Sequence, residues 1–250
     1  MKAKPLIHSF DGDDAPPRRG NWGEIAWNLG RMIGTFRKRG PRGPIEGQPV
    51  LVVPGFLCSD QTTFSLRREF ARAGFRVHGW KQGWNFGVKP DTLHRLGERI
   101  DSLGHDRPIV IVGWSLGGLF AREFARYHPE KVKAVVTLGS PFSGDPRQNN
   151  VWRLYERIAG HPVDKPPIPR ITEKPPVPHL ALWSRRDGLM APRTARGLEH
   201  ERDKEVELDC HHMAFGISPN AARAVVREVE EFLNTHSRAA GTRRQDARGP

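Results

Sequence analysis

The stretch that decides the fold is residues 112–119, VGWSLGGL, which follows the apolar run Ile109–Ile111. A β-branched run followed by a serine between glycines predicts a strand, a sharp turn and the start of a helix. In such a turn the glycines allow a strained backbone, and the serine hydroxyl stands exposed at the end of the strand. We therefore predict that Ser115 is a nucleophile. The alternative is a serine that only caps the helix.

Short β-branched segments and helix-like segments alternate on both sides of this stretch, which predicts an α/β fold. The predicted strands are VLVVP from Val50, FRVHGW from Phe75, PIVIVG from Pro108, KAVVTLG from Lys133, HLALWS from His179 and KEVELD from Lys204. The predicted helices lie near 62–73, 91–104, 116–128 and 219–234. Such alternation favours a mostly parallel sheet with helices on both faces and a functional site at the carboxyl ends of the strands.

The chain is expected to hold one domain, with additional segments at both ends. We expect a disordered N-terminus at 1–20, an amphipathic helix at 21–40, a single α/β domain at 41–236 and a disordered basic tail at 237–250. Residues 142–178 interrupt the alternation with a short helix, VWRLYERIAG, and a proline-dense run. Because the strand pattern resumes at His179, this segment is predicted to be a cap or lid inserted into the domain.

The segment at 21–39 has apolar residues at steps of three and four and ends with the basic run Arg37–Arg39. A helix docked on the core and a helix lying on a lipid surface both fit this pattern. We expect this segment and the insertion at 142–178 to roof the cleft above Ser115.

The 250 residues carry a formal net charge of +12, but Lys and Arg are scattered, and no RNA-binding signature accompanies them. We therefore expect no nucleic-acid partner. The two cysteines, Cys58 and Cys210, have no metal-site spacing and are expected to be reduced thiols in packing roles. No run of about 18 apolar residues is present, so we expect a cytoplasmic protein, with peripheral membrane contact through residues 21–39 as a further hypothesis.

A serine nucleophile requires a base, and the base requires an acid that orients it. The loop SRRDGLMAP follows the strand HLALWS and places Asp187 at the end of that strand. The loop DCHHMAF follows KEVELD and offers His211 and His212 as bases. The residue pattern alone leaves the choice between these histidines open. Asp187 is also compatible with an ordinary Asp-Gly turn.

An oxyanion formed during acyl transfer requires preorganised donors. The backbone N–H groups of Leu116 and of Phe56, in the loop PGFLCSD after the first strand, are the candidates. The candidate substrate-binding side chains are Leu57, Trp114, Trp152, Met190 and Met213. Neither a cofactor nor a metal is expected.

Together these motifs resemble the α/β-hydrolase superfamily over roughly residues 50–233. GWSLGG resembles its nucleophile elbow, PGF its oxyanion loop, SRRDG its acid loop and CHHMAFGISP its base loop. Matching the last loop implies that His212 is the base. Pro54 and Ala214 depart from the usual histidine and glycine of those loops. The stretches 113–141 and 187–195 are also similar to the carboxylesterase that cleaves pimeloyl-carrier methyl esters.

The expected function is cleavage of a carboxylic ester with an apolar acyl group, through an acyl-enzyme on a Ser-His-Asp triad, as in esterases and lipases. The substrate would be a small-molecule ester or a lipid. Acyl transfer and thioester cleavage use the same triad and stay open, as does a binding protein without catalytic activity. A haloalkane dehalogenase is disfavoured because it would need an aspartate at the position of Ser115.

Overall fold

The computed structural model describes residues 46–246, with side chains as far as residue 237. The predicted disordered N-terminus and amphipathic helix lie outside the described residues.

A six-stranded sheet forms the centre of the domain. Its strands are β1 (Pro49–Val53), β2 (Arg76–Gly79), β3 (Ile109–Trp114), β4 (Val132–Leu138), β5 (His179–Trp183) and β6 (Lys204–Glu207). They lie in the order β2-β1-β3-β4-β5-β6, and each neighbouring pair is parallel. All six predicted strands and the α/β fold class are therefore confirmed. Because the strands are parallel, the loops that follow them meet at one edge of the sheet.

Helices cover both faces of the sheet. They are α1 (Phe64–Arg72), α2 (Thr92–Asp101), α3 (Leu116–Tyr127), α4 (Trp152–Ala159), α5 (Pro192–Arg196), α6 (Ala214–Ile217) and α7 (Pro219–Asp246). Short 3-10 turns occupy Pro129–Lys131 and Glu199–Glu201.

The sheet separates two apolar cores, because successive side chains of a strand point to opposite faces. In β3, Val110, Val112 and Trp114 face the core that contains α1 and α7. Ile109 and Ile111 face the other core, which contains α2 and α3. All residues of β3 are buried, as expected for a central strand of a sheet covered on both sides.

The inserted segment is tied to the domain by a buried and a half-buried arginine. Arg122 of α3 is 1% exposed, and its Nη2 donates to the carbonyl oxygens of Thr172 and Glu173 at 2.6 and 2.8 Å. Arg170 Nη1 donates to the carbonyl oxygens of Pro141 and Ser143 at 2.8 and 3.2 Å. Burial lowers the pKa of Arg122 to about 10, so the guanidinium stays charged at neutral pH and its hydrogen bonds are charge-assisted.

The final helix continues to Asp246. It therefore extends past residue 236, at which the domain was expected to end. The periodic apolar residues end at Leu233, but Ala, Arg and Gln after it have high helix propensity. The boundary at 236 therefore falls inside a helix. Within residues 46–246, no helix is long and apolar enough to cross a bilayer.

Candidate active site

The turn between β3 and α3 holds Ser115 in a strained backbone conformation. Its φ is 53° and its ψ is −120°, a region that residues other than glycine rarely adopt. The Ser115 N–H donates to the carbonyl oxygen of Leu138 at 2.8 Å, which fixes the turn against the end of β4. A Cβ at Gly117 would lie 2.8 Å from the Pro54 carbonyl oxygen and closer still to that of Val53. Glycine is thus required for α3 to approach the end of β1.

Asp187 and His212 form a buried pair at the neighbouring strand ends. Asp187 lies in the loop after β5 and His212 in the loop after β6, and His212 Nδ1 is 2.7 Å from Asp187 Oδ2. Asp187 Oδ1 accepts the N–H groups of Leu189 and Met190, both at 2.9 Å. Because an ionised carboxylate only accepts hydrogen bonds, the contact assigns the proton to Nδ1 and leaves the Nε2 lone pair of His212 available.

Gly139, directly after β4, lies beneath this pair and beside the serine turn. A Cβ at Gly139 would come within 2.8 Å of Asp187 Oδ2 and 3.1 Å of His212 Nδ1. The preceding residue, Leu138, accepts the hydrogen bond from Ser115 N–H. Ser115, Asp187 and His212 therefore converge around the carboxyl end of β4.

His211 points away from the carboxylate. Its Nδ1 is 3.2 Å from the Arg186 carbonyl oxygen and its Nε2 is 3.3 Å from Arg186 Nη2. His212, in contrast, is 5% exposed and lies with its ring centroid 6.0 Å from that of Trp114. Of the two candidate histidines, His212 is the one whose ring nitrogen is within hydrogen-bond distance of Asp187, at 2.7 Å.

The loop after β1 approaches the serine from the other side. A Cβ at Gly55 would lie 3.1 Å from Ser115 Cβ, so this loop passes directly over the turn. Buried Asn85 holds the loop in place, because its Nδ2 donates to the Pro54 carbonyl oxygen at 2.9 Å. Among the described residues, no hydrogen-bond acceptor contacts the N–H of Phe56 or of Leu116. Both N–H groups are therefore available to an oxyanion.

A cleft opens from Ser115 between α3 and the inserted segment. It encloses about 800 Å³ of space, its open mouth included. Half of its lining comes from residues 142–178, including Trp152 and Tyr155. The remainder includes Phe56, Leu116 and Met190. Its walls are mainly apolar, and the inserted segment forms one side of it.

A family model described as the alpha/beta hydrolase fold matches residues 53–160, which include β1, the oxyanion loop and the serine turn. The described residues have the α/β-hydrolase fold, and the chain is similar to this superfamily over the matched residues. The resemblance stated from the sequence motifs is thereby confirmed.

Proteins similar to this chain include both transferases and esterases. Homoserine O-acetyltransferase of Thermus thermophilus is 33% identical over 119 residues, which cover 47% of this chain and 29% of that protein. The pimeloyl-[acyl-carrier protein] methyl ester esterase of Citrobacter koseri is 35% identical over 78 residues, 29% of each chain. The chain thus spans less than a third of the length of these curated relatives. A solved esterase of Thermogutta terrifontis shares the fold, with a TM-score of 0.54, 19% identity and coverage of 75% of this chain and 91% of that one.

Three of the candidate substrate-binding residues lie outside the lining of the cleft. Trp114 is 1% exposed and packs into the core on the opposite face, because the alternation of β3 turns it away from α3. Met213 packs against the same core. Leu57 donates its N–H to the Asn85 carbonyl oxygen and does not line the cleft either. The expectation is therefore corrected for the buried Trp114, whereas substrate contacts by Leu57 and Met213 stay a prediction. Trp152 and Met190 do line the cleft.

The two cysteines are buried thiols that form no disulfide. Burial raises the pKa of Cys58 to about 11 and that of Cys210 to about 12. Both therefore stay protonated at neutral pH and are poor nucleophiles. Among residues 46–246, no group of three or more His, Cys, Asp or Glu side chains is arranged to hold a metal ion.

Sequence reasoning missed two residues that shape the site and placed a third, Tyr155, only on the apolar side of the inserted segment. Gly139 makes room for the Asp187–His212 pair, and its positive φ of 52° is a backbone signal that the sequence does not display. Asn85 braces the loop after β1 from a segment without a motif. Tyr155 contacts Phe56 edge to face at 5.2 Å between ring centroids. Only Tyr155 had a sequence signal, as an apolar position of the inserted helix.

Proposed function

We propose that this protein is a serine hydrolase that cleaves carboxylic esters with an apolar acyl group. In this proposal Ser115 is the nucleophile, His212 the base and Asp187 the residue that orients His212. The main support is the 2.7 Å contact between His212 Nδ1 and Asp187 Oδ2 beside a serine whose φ is 53°. A histidine oriented by a buried carboxylate next to a serine on a strained turn is the arrangement that activates a hydroxyl.

The reaction begins when Ser115 Oγ attacks the ester carbonyl carbon and its proton passes to His212 Nε2. The carbonyl oxygen becomes an oxyanion, which accepts hydrogen bonds from the N–H groups of Phe56 and Leu116. The C–O bond then breaks, and the departing alkoxide takes the proton from His212. A water molecule attacks the acyl-enzyme in the same manner and releases the carboxylic acid and free Ser115.

The lining of the cleft supports an apolar acyl group. Leu116, Leu119 and Phe120 of α3 face Trp152 and Tyr155 of α4 across it. Burial of a hydrocarbon chain between these side chains would contribute about 25 cal/mol for each Å² of apolar surface removed from water. Exclusion of water would also strengthen the hydrogen bonds to the oxyanion.

Acyl transfer is the second candidate, supported by transferases among the relatives. Besides the acetyltransferase above, a 1-acylglycerol-3-phosphate O-acyltransferase of Arabidopsis thaliana is 28% identical over 154 residues. The acyl-enzyme would be the same, but an alcohol rather than water would accept the acyl group. Thioesters would enter the same first step. Product analysis with added alcohols separates these activities, because transfer yields a new ester and hydrolysis yields the free acid.

Hydrolysis of p-nitrophenyl esters from acetate to palmitate tests the proposal. We expect turnover by the wild type, none above background by Ser115→Ala, and wild-type rates for the exposed-serine control Ser102→Ala. A fluorophosphonate should label Ser115 covalently. Equal rates for the wild type and Ser115→Ala, or labelling that persists in Ser115→Ala, would overturn the assignment.

A further inference from the structure

Four large apolar side chains are exposed near the mouth of the cleft. Trp84 and Phe86, in the loop between β2 and α2, are 54% and 48% exposed. Leu154 and Ile158, four residues apart on one face of α4, are 37% and 38% exposed. We call these four residues the mouth patch. None of them lines the cleft or contributes to the Ser115 site.

The two elements that carry the mouth patch are packed together. A Cβ at Gly87 would lie 2.7 Å from Ala159 Cβ, so the loop is in direct contact with α4. The Val88 N–H donates to Tyr155 Oη at 3.2 Å. Val88 and Tyr155 both line the cleft. The mouth patch therefore borders the opening through which a substrate reaches Ser115.

Cationic side chains surround the mouth patch. Lys81 and Lys89 are exposed on the loop, and Arg153 and Arg157 are exposed on α4. Acidic side chains are fewer on these elements, and one acidic neighbour, Asp60, accepts the Lys81 N–H at 3.0 Å. Asp91 is exposed, while Glu156 Oε1 accepts the Val163 N–H at 2.9 Å. Arg147 and Asp164 of the inserted segment form an ion pair at 2.9 Å, so their charges cancel. The opening thus combines aromatic and aliphatic side chains with a net positive charge.

We propose that the mouth patch docks on the surface of an anionic phospholipid bilayer. Tryptophan and other aromatic side chains favour the interfacial region of a bilayer, and Lys and Arg near it are attracted by anionic headgroups. The alternative occupant is the chain's own segment 21–39. That segment ends in the basic run Arg37–Arg39, and cations facing cations would oppose its docking here. Charge complementarity therefore selects the lipid surface.

Docking in this orientation turns the cleft toward the bilayer. A lipid acyl ester would then enter without crossing water. This consequence for substrate class rests on the proposed function, whereas the docking itself does not. Ser115→Ala should bind vesicles as well as the wild type does, so failure of the chemistry and failure of the docking are distinguishable.

Co-sedimentation of the full chain with vesicles tests the docking, using phosphatidylcholine alone and phosphatidylcholine mixed with phosphatidylglycerol. We expect binding to the anionic vesicles only, weakened by added salt. Trp84→Ser with Phe86→Ser should weaken it about tenfold. Lys89→Gln with Arg153→Gln should weaken it about 25-fold, from about fivefold per cation.

Matched controls lie elsewhere on the molecule. Tyr127→Ser removes an aromatic side chain that is 56% exposed at the far end of α3. Arg223→Gln with Arg227→Gln removes two exposed cations from α7. Both controls should bind anionic vesicles within about twofold of the wild type.

The proposal is overturned if the wild type does not bind anionic vesicles, or if the mouth-patch variants bind as tightly as the controls. The triple variant with Arg37, Lys38 and Arg39 changed to Gln tests the N-terminal segment. If only this variant loses vesicle binding, the lipid contact belongs to that segment, and the proposal is overturned. Circular dichroism of each variant establishes that a loss of binding is not a loss of folding.

Discussion

Gly117→Ala should disturb the active site without touching the substrate. Gly117 lies in the first turn of α3, and its added Cβ would sit 2.8 Å from the Pro54 carbonyl oxygen. That is about 0.6 Å short of the 3.4 Å at which ordinary contact begins, and the overlap with the Val53 carbonyl oxygen is larger. Both neighbours are backbone atoms, so no side chain can rotate away. The loop that carries Phe56 must therefore move away from Ser115.

The expected magnitudes follow from that displacement. Overpacking of this kind costs about 1–3 kcal/mol of the free energy of unfolding. For a domain of this size, that corresponds to a fall in Tm of about 2–12 °C. A misplacement approaching 1 Å at the reacting centre costs up to about 10²-fold in rate. We expect kcat/KM for a p-nitrophenyl ester to fall by roughly 10- to 100-fold, mainly through kcat.

The matched control is Gly97→Ala in α2. A Cβ there would lie 3.4 Å from the Phe124 ring, which is ordinary contact, and alanine favours a helix by up to about 1 kcal/mol over glycine. Its Tm should stay the same or rise, and its kcat/KM should be unchanged. Differential scanning calorimetry and ester kinetics measure both quantities. If Gly117→Ala keeps the wild-type Tm and kcat/KM, or if both variants lose equal amounts of each, the close approach of α3 to β1 is refuted.

Three further outcomes are expected. His212→Ala should lower ester hydrolysis by several orders of magnitude, whereas His211→Ala should keep most of it, and the reverse result would transfer the role of base to His211. Asp187→Asn should lower kcat by about 10⁴-fold, as the same change does in a serine protease, with little change in KM, since the amide favours the wrong tautomer of His212. Burial and the neighbouring His105 lower the pKa of His78 to about 4, so the unfolded chain binds a proton that the folded chain excludes. Tm should therefore fall as the pH drops from about 6.5 to about 4, and His78→Gln should reduce that fall while the exposed-histidine control His94→Gln should not.

The strands were predictable because their signal is local. A buried parallel strand is apolar at every position, and β1, β3 and β5 are buried throughout. The glycines around Ser115 form a local sequence signal too, although the close approach that Gly117 allows is to Val53 and Pro54, far away in the chain. The end of α7 was less predictable, because helix propensity continues after the apolar period stops.

The direction of side chains was the weaker part of the sequence reasoning. Trp114 is adjacent to Ser115 in the chain, which suggested a place in the cleft. In a strand, however, neighbours point to opposite faces, and Trp114 belongs to the core beneath α1 and α7. The lining of the cleft instead comes from residues at helical spacing on α3, such as Leu116, Leu119 and Phe120. Helical periodicity downstream of the serine was the better guide to the cleft.

The supporting residues of the site depend on strand order, which local patterns do not contain. Ser115 and His212 are far apart in the chain, and they converge because β3, β4, β5 and β6 are consecutive in the sheet. That order puts the end of β4 between the serine turn and the Asp187–His212 pair, so the residue there must leave space for both. Gly139 does so because a Cβ would meet Asp187 Oδ2 at 2.8 Å. The residues that require a glycine here, Asp187 and His212, are nearly fifty and more than seventy positions away in the chain. The requirement therefore depends on the order of the strands and cannot be read from the local sequence.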